Sequence, residues 1–258
     1  RHNLMVKDVI QQLQQDVAFH LTQLIEKRAS DARLKEAMLY AVQSGGKRIR
    51  PLLTLAVGAS GTSRNKAALD LACALEMIHT YSLIHDDLPG MDDDDLRRGR
   101  PTLHKAFDEA TAILAGDALL TLAFEVAANA NLEAGQLVEA VKILSTASGM
   151  SGMISGQMKD IASEKVTITL EQMKEIHREK TGELLLAAVR LGNLFIDDAK
   201  MKEVFVSYAT HFGLAFQIQN DLQDVCWTSE QTGKETGKDS ELSKNTYPSL
   251  LGVEGAKD

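Results

Sequence analysis

Six carboxylates fall within ten residues in the run Asp86-Asp87-Leu88-Pro89-Gly90-Met91-Asp92-Asp93-Asp94-Asp95, and Leu96-Arg97-Arg98-Gly99-Arg100 follows directly. Crowding like charges costs Coulomb energy unless cations or water offset it. Carboxylate oxygens grouped this way suit the hard cations Mg2+ and Ca2+. The D-x-D-x-D-G order of a calcium loop is missing, so an EF-hand is not expected. Asp86 and Asp92 are six positions apart, which would put them on different faces of an unbroken helix. Pro89-Gly90 lies between them, and both residues disrupt helices. A two-residue bulge there would return the two carboxylates to one face, and the arginines that follow suit a phosphate bridged to the metals.

A second acidic group stands at Gln217-Ile218-Gln219-Asn220-Asp221-Leu222-Gln223-Asp224. Asn220 and Asp224 are i,i+4 neighbours on a helix face, with Asp221 alongside. Two acidic walls facing each other across a cleft would hold magnesium ions against a diphosphate. Basic residues fall at separate places. Gly45-Gly46-Lys47-Arg48-Ile49-Arg50-Pro51 opens a helix, where free N–H groups and cations make an anion site. Lys180-Thr181-Gly182, Gly233-Lys234 and Lys244-Asn245-Thr246-Tyr247-Pro248 come later. Gly46-Lys47 does not sit in a P-loop pattern, and no Ser/His/Asp or Cys/His nucleophile set is apparent.

The elements that must position these groups are helical. Only four prolines occur. Val6, Ile10, Leu13, Val17, Leu21 and Leu24 recur every three or four residues. A second helix is predicted over Ala32–Gln43, stopped by Gly45-Gly46, and Pro51 fits the first turn of the next. Longer helices are predicted over Ala67–His85, Glu109–Asn131, Gly135–Ile161, Leu170–Leu191 and Asp198–Cys226. No alternating strand is evident, and Val166–Thr169 reads as an extended connector. With no linker, low-complexity block or repeat, residues 1–258 read as one all-α domain, a bundle of long helices around a central cavity.

Composition sets outer bounds. Apolar residues make up 44% and charged residues 25% of 258, as in an ordinary globular protein. A net charge of −8 argues against general nucleic-acid binding. Two lone cysteines, Cys73 and Cys226, point to a reducing cytoplasm. Apolar runs are broken by polar residues before membrane-spanning length, so no transmembrane segment is expected.

Taken together, these groups resemble the trans-isoprenyl diphosphate synthases (polyprenyl synthetases), and among them the bacterial farnesyl diphosphate synthases most. The resemblance runs from Met38 to Gly252. Asp86–Gly99 is similar to the family's first aspartate-rich motif with a two-residue insertion, and Gly45–Pro51 to its isopentenyl-diphosphate motif. Gly156-Gln157-Met158-Lys159-Asp160, Lys180-Thr181-Gly182, Phe216-Gln217 and Lys244–Pro248 follow in order. The resemblance implies an isoprenoid synthase fold, and a chain that lacks the family's C-terminal tail. It implies magnesium, three ions with substrate bound, held by Asp86, Asp87 and Asp92 on one wall and by Asn220, Asp221 and Asp224 on the other. Arg97, Lys180, Thr181, Gln217, Lys234 and Lys244 would surround an allylic diphosphate. Gly46, Lys47, Arg50, His79 and Arg98 would hold isopentenyl diphosphate. The implied reaction joins the two into farnesyl diphosphate by ionisation, condensation and elimination, with a C15 product set by pocket depth and a homodimer as the assembly.

Tyr81 and Ser82, five and four residues before Asp86, are the expected floor of the product pocket. A bulky aromatic there stops chain growth early, whereas a smaller residue would fit C20. One departure stands out. The family's second motif begins with two aspartates, and this chain has Asn220-Asp221. A geranylgeranyl diphosphate synthase and a weakly catalytic partner subunit that binds prenyl diphosphates therefore remain alternatives. A terpene cyclase fits less well, because it binds one diphosphate and has no use for a second cation group at Lys47 and Arg50.

Overall fold

The computed structural model describes residues 2–226, with side chains described from residue 5 to residue 213. Within that range the chain is almost wholly helical. The elements are α1 (His2–Arg28), α2 (Ala32–Val42), α3 (Ile49–Gly58), α4 (Lys66–Asp86), β1 (Leu96–Arg97), β2 (Arg100–Pro101), α5 (Leu103–Ala106), α6 (Glu109–Ala128), α7 (Ala134–Ser148), α8 (Met153–Ala162), α9 (Leu170–His177), a π-helical turn at Arg178–Gly182, α10 (Glu183–Asn193) and α11 (Ala199–Cys226).

Helix starts follow local chemistry. Asp31, Asn65, Asp108 and Thr169 each accept a hydrogen bond from the backbone N–H three residues on, satisfying one of the orphan donors of a first turn. Helix α4 is the centre of the fold and packs along α6, α3 and α10. It is apolar nearly all round, as expected of a helix with neighbours on every side. Helices α4 and α6 are long and apolar enough to cross a membrane by length and composition alone. In α4, 89% of that stretch is buried by the chain itself, which marks it as a core helix.

The structure departs from the sequence reading in two places. The helix predicted over Gly135–Ile161 is two helices, α7 and α8, broken at Gly149–Gly152. A Cβ on Gly152 would lie 2.2 Å from the Ala147 carbonyl oxygen, so the close turn requires glycine. A small antiparallel hairpin, Leu96 opposite Pro101 and Arg97 opposite Arg100, follows the acidic run. Two-residue strands carry too little alternation to register as a period. Val166–Thr169 is a non-helical connector, as read, and Thr169 closes it as a helix cap.

Candidate active site

Helix α4 ends at Asp86, with Asp87 as its C-cap, and the chain then doubles back. The amides of Asp92, Asp93 and Asp94 donate to the carbonyls of Asp86 (2.7 Å), Leu88 (3.1 Å) and Asp87 (3.1 Å). The returning loop thus caps carbonyls that the helix end leaves unpaired. Asp92 therefore reaches Asp86 because α4 stops and turns, not because a bulge carries one helix face onward. Acidic side chains at a helix C-terminus oppose its dipole, and nearby cations offset this.

Each aspartate has its own partner. Asp87 is buried and takes a two-pronged bond from Arg97, whose Nε donates to Oδ2 at 3.0 Å and whose terminal nitrogen donates to Oδ1 at 2.7 Å. Burial raises the Asp87 carboxyl, Arg97 offsets part of that rise, and the pair keeps the guanidinium above its ordinary value. Asp86 accepts from the Gln157 amide on α8 at 2.6 Å. Burial pushes its carboxyl up to about 6, with Lys180 pulling it down and Asp92 pushing it up.

Lys180 comes from the π-helical turn. A π turn holds one extra residue, and here it brings Lys180 to Asp160 of α8 at 2.7 Å. Burial works against the ammonium, but Asp160, Asp86 and Asp92 hold its pKa above the ordinary value. Gly156 makes this approach possible, because a Cβ there would lie 2.4 Å from the Lys180 backbone nitrogen. Thr181, next on the turn, is half-buried.

A second group of cations lies on the other side of Asp87. Arg50, in the first turn of α3, is buried and stands 3.4 Å from the ring nitrogen Nε2 of His79. Burial, with Arg50, Arg98, Arg97 and Arg48 adding to it, drives His79 well below its ordinary value, so the ring is neutral near pH 7. Arg98 lies over Gly46, where a Cβ would come 2.7 Å from the guanidinium carbon. Gly46 has a φ of +106°, which glycine adopts without strain. Lys47 is exposed on the same loop, and its carbonyl accepts from Gln14.

Tyr81 and Ser82 are both buried on α4. The Tyr81 ring meets His85 edge to face at 5.2 Å, and Ser82 donates back to the His79 carbonyl. Gln217, Asn220, Asp221 and Asp224 fall within the α11 span, but their side chains lie outside the described residues, and Lys234 and Lys244 lie outside them altogether.

Several contributors were given no site role from the sequence, although Gln157, Asp160 and Arg48 stand in motifs quoted for the resemblance. Gln157 and Asp160 orient Asp86 and Lys180. Glu76, Arg48 and His104 are buried beside the cations. For Glu76 the available signal was a lone carboxylate in the otherwise apolar Ala72–Ile78 turn pair, three residues before His79.

A polyprenyl synthetase family model matches residues 31–258. The chain belongs to the polyprenyl synthetase family. It is 45% identical to the farnesyl diphosphate synthase of Geobacillus stearothermophilus, over 99% of this chain and 87% of that one. It is 47% identical to the geranylgeranyl diphosphate synthase of Cyanophora paradoxa, over 88% of this chain and 77% of that one. Among solved structures it is similar to a geranyltransferase from Helicobacter pylori complexed with magnesium and isoprenyl diphosphate. That similarity has a TM-score of 0.84 at 38% identity, covering 94% of this chain and 84% of that one.

As a polyprenyl synthetase, this chain has a donor set that fits magnesium. Asp86 and Asp92 offer hard oxygens, and burial, which raises the Asp86 carboxyl, is a cost to its ionised form that a cation would offset. Among the described residues no three His, Cys, Asp or Glu side chains form a ready metal cage. Mg2+ usually takes one or two carboxylates and completes its shell with water and substrate phosphate.

Proposed function

We propose that this polyprenyl synthetase condenses isopentenyl diphosphate with dimethylallyl or geranyl diphosphate to give farnesyl diphosphate. The observation that carries the reading is the two-sided charge around the end of α4. Asp86 and Asp92 face Lys180 on one side, and Arg98, His79 and Arg50 gather behind Gly46 on the other. A reaction between two diphosphates needs both sites. The identity to a farnesyl diphosphate synthase over almost the whole chain supports it.

In this reading Asp86, Asp87 and Asp92 hold the metals, three Mg2+ ions with substrate bound, and Asn220, Asp221 and Asp224 complete the set. Magnesium supplies Lewis-acid stabilisation of charge on the departing diphosphate. Lys180 and Arg97 act on the same charge, fixed in advance by Asp160 and Asp87 and so needing little reorganisation. Thr181, Gln217, Lys234 and Lys244 add contacts to the allylic diphosphate. Gly46, Lys47, Arg50, His79 and Arg98 bind isopentenyl diphosphate. The neutral His79 donates a hydrogen bond without adding charge. The allylic cation needs a dry apolar wall, which the α4 and α6 core supplies, with Tyr81 as its floor.

Helix α6 exposes Ile113 (43%) and Leu114 (59%), and this apolar face supports a homodimer. Cys73 is a free buried thiol, in keeping with the cytoplasm. The test is incubation of purified protein with both substrates and Mg2+, with product mass read by spectrometry. A C15 product is expected. A C20 product refutes the farnesyl assignment. No condensation at any magnesium level favours a partner subunit, for which Asn220 in the second acidic group is the motive.

A further inference from the structure

Glu76 is a buried carboxylate that neither diphosphate site uses. It lies on α4, one turn before His79, and is 3% exposed. Its Oε2 stands 3.8 Å from a terminal nitrogen of Arg48, beyond hydrogen-bond reach, and accepts no hydrogen bond among the described residues. A buried acceptor left this way is costly and calls for an explanation. Its surroundings are cationic. Arg48, Arg98 and His79 line the same pocket, between α2, α4 and the hairpin.

Arg48 is unusual in its own right. It is buried, and its backbone is left-handed, with a φ of 55°. A non-glycine residue holds that conformation only when its surroundings enforce it. The Arg48 guanidinium donates to the Val42 carbonyl at the end of α2. Arg48 therefore ties the end of α2 to the start of α3, with the Gly45–Lys47 loop between the two ties. On that loop lies Gly46, where Arg98 rests. Burial lowers the Arg50 guanidinium, Glu76 raises it, and Arg98 lowers it further. Arg98 itself is lowered by burial and then by Arg97, while Glu76 counters them. Glu76 thus acts on three arginines, and Asp87, although forked to Arg97, adds to its effect at Arg98.

We infer that Glu76 is a positioning residue for the second diphosphate site, fixing Arg48 and through it the Gly45–Lys47 loop, Arg50 and Arg98. This rests on the reading of that site as the isopentenyl diphosphate site. The allylic side is set by other partners, since Asp86 answers to Lys180, Asp92, Arg97 and Gln157, and Lys180 to Asp160, Asp86 and Asp92. Glu76 therefore affects one substrate and not the other.

The experiment is steady-state kinetics of Glu76→Gln, Glu76→Asp and Arg48→Met, with melting curves. Glu76→Gln keeps the shape and removes the charge. The KM for isopentenyl diphosphate is expected to rise about tenfold or more, as for the loss of one charge 3.8 Å from its partner in a buried setting. The kcat and the KM for geranyl diphosphate stay within about threefold, a split that diffuse destabilisation would not produce. Glu76→Asp restores most of the affinity. In Arg48→Met, adding Glu76→Gln changes the isopentenyl KM little, because the two act as a unit. A KM for isopentenyl diphosphate that is unchanged or lowered overturns the inference. So does an equal rise in both KM values, or a loss that follows melting temperature across all the variants. If the parent protein itself fails to condense the substrates, the proposed function fails first, and calorimetric titration with isopentenyl diphosphate then decides the Glu76 inference by the same fold-change in affinity.

Discussion

Replacing Gly156 by alanine tests how the active site is held together. A Cβ at this position would lie 2.4 Å from the Lys180 nitrogen, 2.7 Å from its Cα and 2.9 Å from the Glu179 carbonyl carbon. All three are backbone atoms, so no side chain can swing aside. Ordinary contact begins near 3.4 Å, so α8 and the π-helical turn must part by about 1 Å. Overpacking of this kind costs about 1–3 kcal/mol. At about 2–4 °C per kcal/mol for a chain of this size, that corresponds to a fall of roughly 2–12 °C in Tm. The larger effect falls on function. The Lys180–Asp160 bond at 2.7 Å crosses the parted interface, and Gln157, the next residue on α8, holds Asp86 of α4 at 2.6 Å and moves with that helix. A shift of about 1 Å carries each beyond hydrogen-bond range and lowers kcat by about a hundredfold. Thermal denaturation and turnover with both diphosphates measure the two effects. A variant that melts within about 2 °C of the parent and keeps kcat within about twofold refutes the reasoning about this contact.

Other substitutions probe the rest of the site. Tyr81→Ala removes the pocket floor and should lengthen the product beyond C15, and an unchanged product by mass spectrometry places the floor elsewhere. The Asp86 carboxyl sits at about 6 against an ordinary 3.8, so the folded chain holds that proton more tightly than the unfolded chain does. Its ionisation costs nothing below about pH 4 and costs most above pH 6 to 7. In metal-free buffer Asp86→Asn should therefore be more stable than the parent at pH 8 by about 1–3 kcal/mol, the advantage fading toward pH 4, and it should lose activity. A stability difference that does not vary with pH contradicts this. Asp87→Asn breaks the fork to Arg97, whose side chain is 26% exposed, and should cost about 3 kcal/mol by urea unfolding. A loss under about 1 kcal/mol would show that the pair is screened.

Much of this was legible in the residues. Periodicity of three and four announced helices, because an amphipathic face must repeat at that spacing to reach a core. The clustering of Asp86–Asp95 and of Gly45–Pro51 announced charge chemistry, because crowded like charges persist only where a counter-charge is intended. The break between α7 and α8 was missed because Gly149 and Gly152 leave the apolar period on either side intact. The hairpin at Leu96–Pro101 was too short to show alternation.

The sequence by itself determined the helical class, the two acidic and basic runs, and glycine at the points of close approach. Only the tertiary structure decided how they meet. Asp92 reaches Asp86 through backbone bonds of a returning loop, and no side-chain spacing encodes that path. Lys180 reaches the aspartates through a π turn seated on Gly156, twenty-four positions earlier in the chain. Glu76 becomes a counter-ion only once α3 and the Gly45–Lys47 loop are laid against α4. Charge acts through space, and the distances that set its strength are fixed by packing.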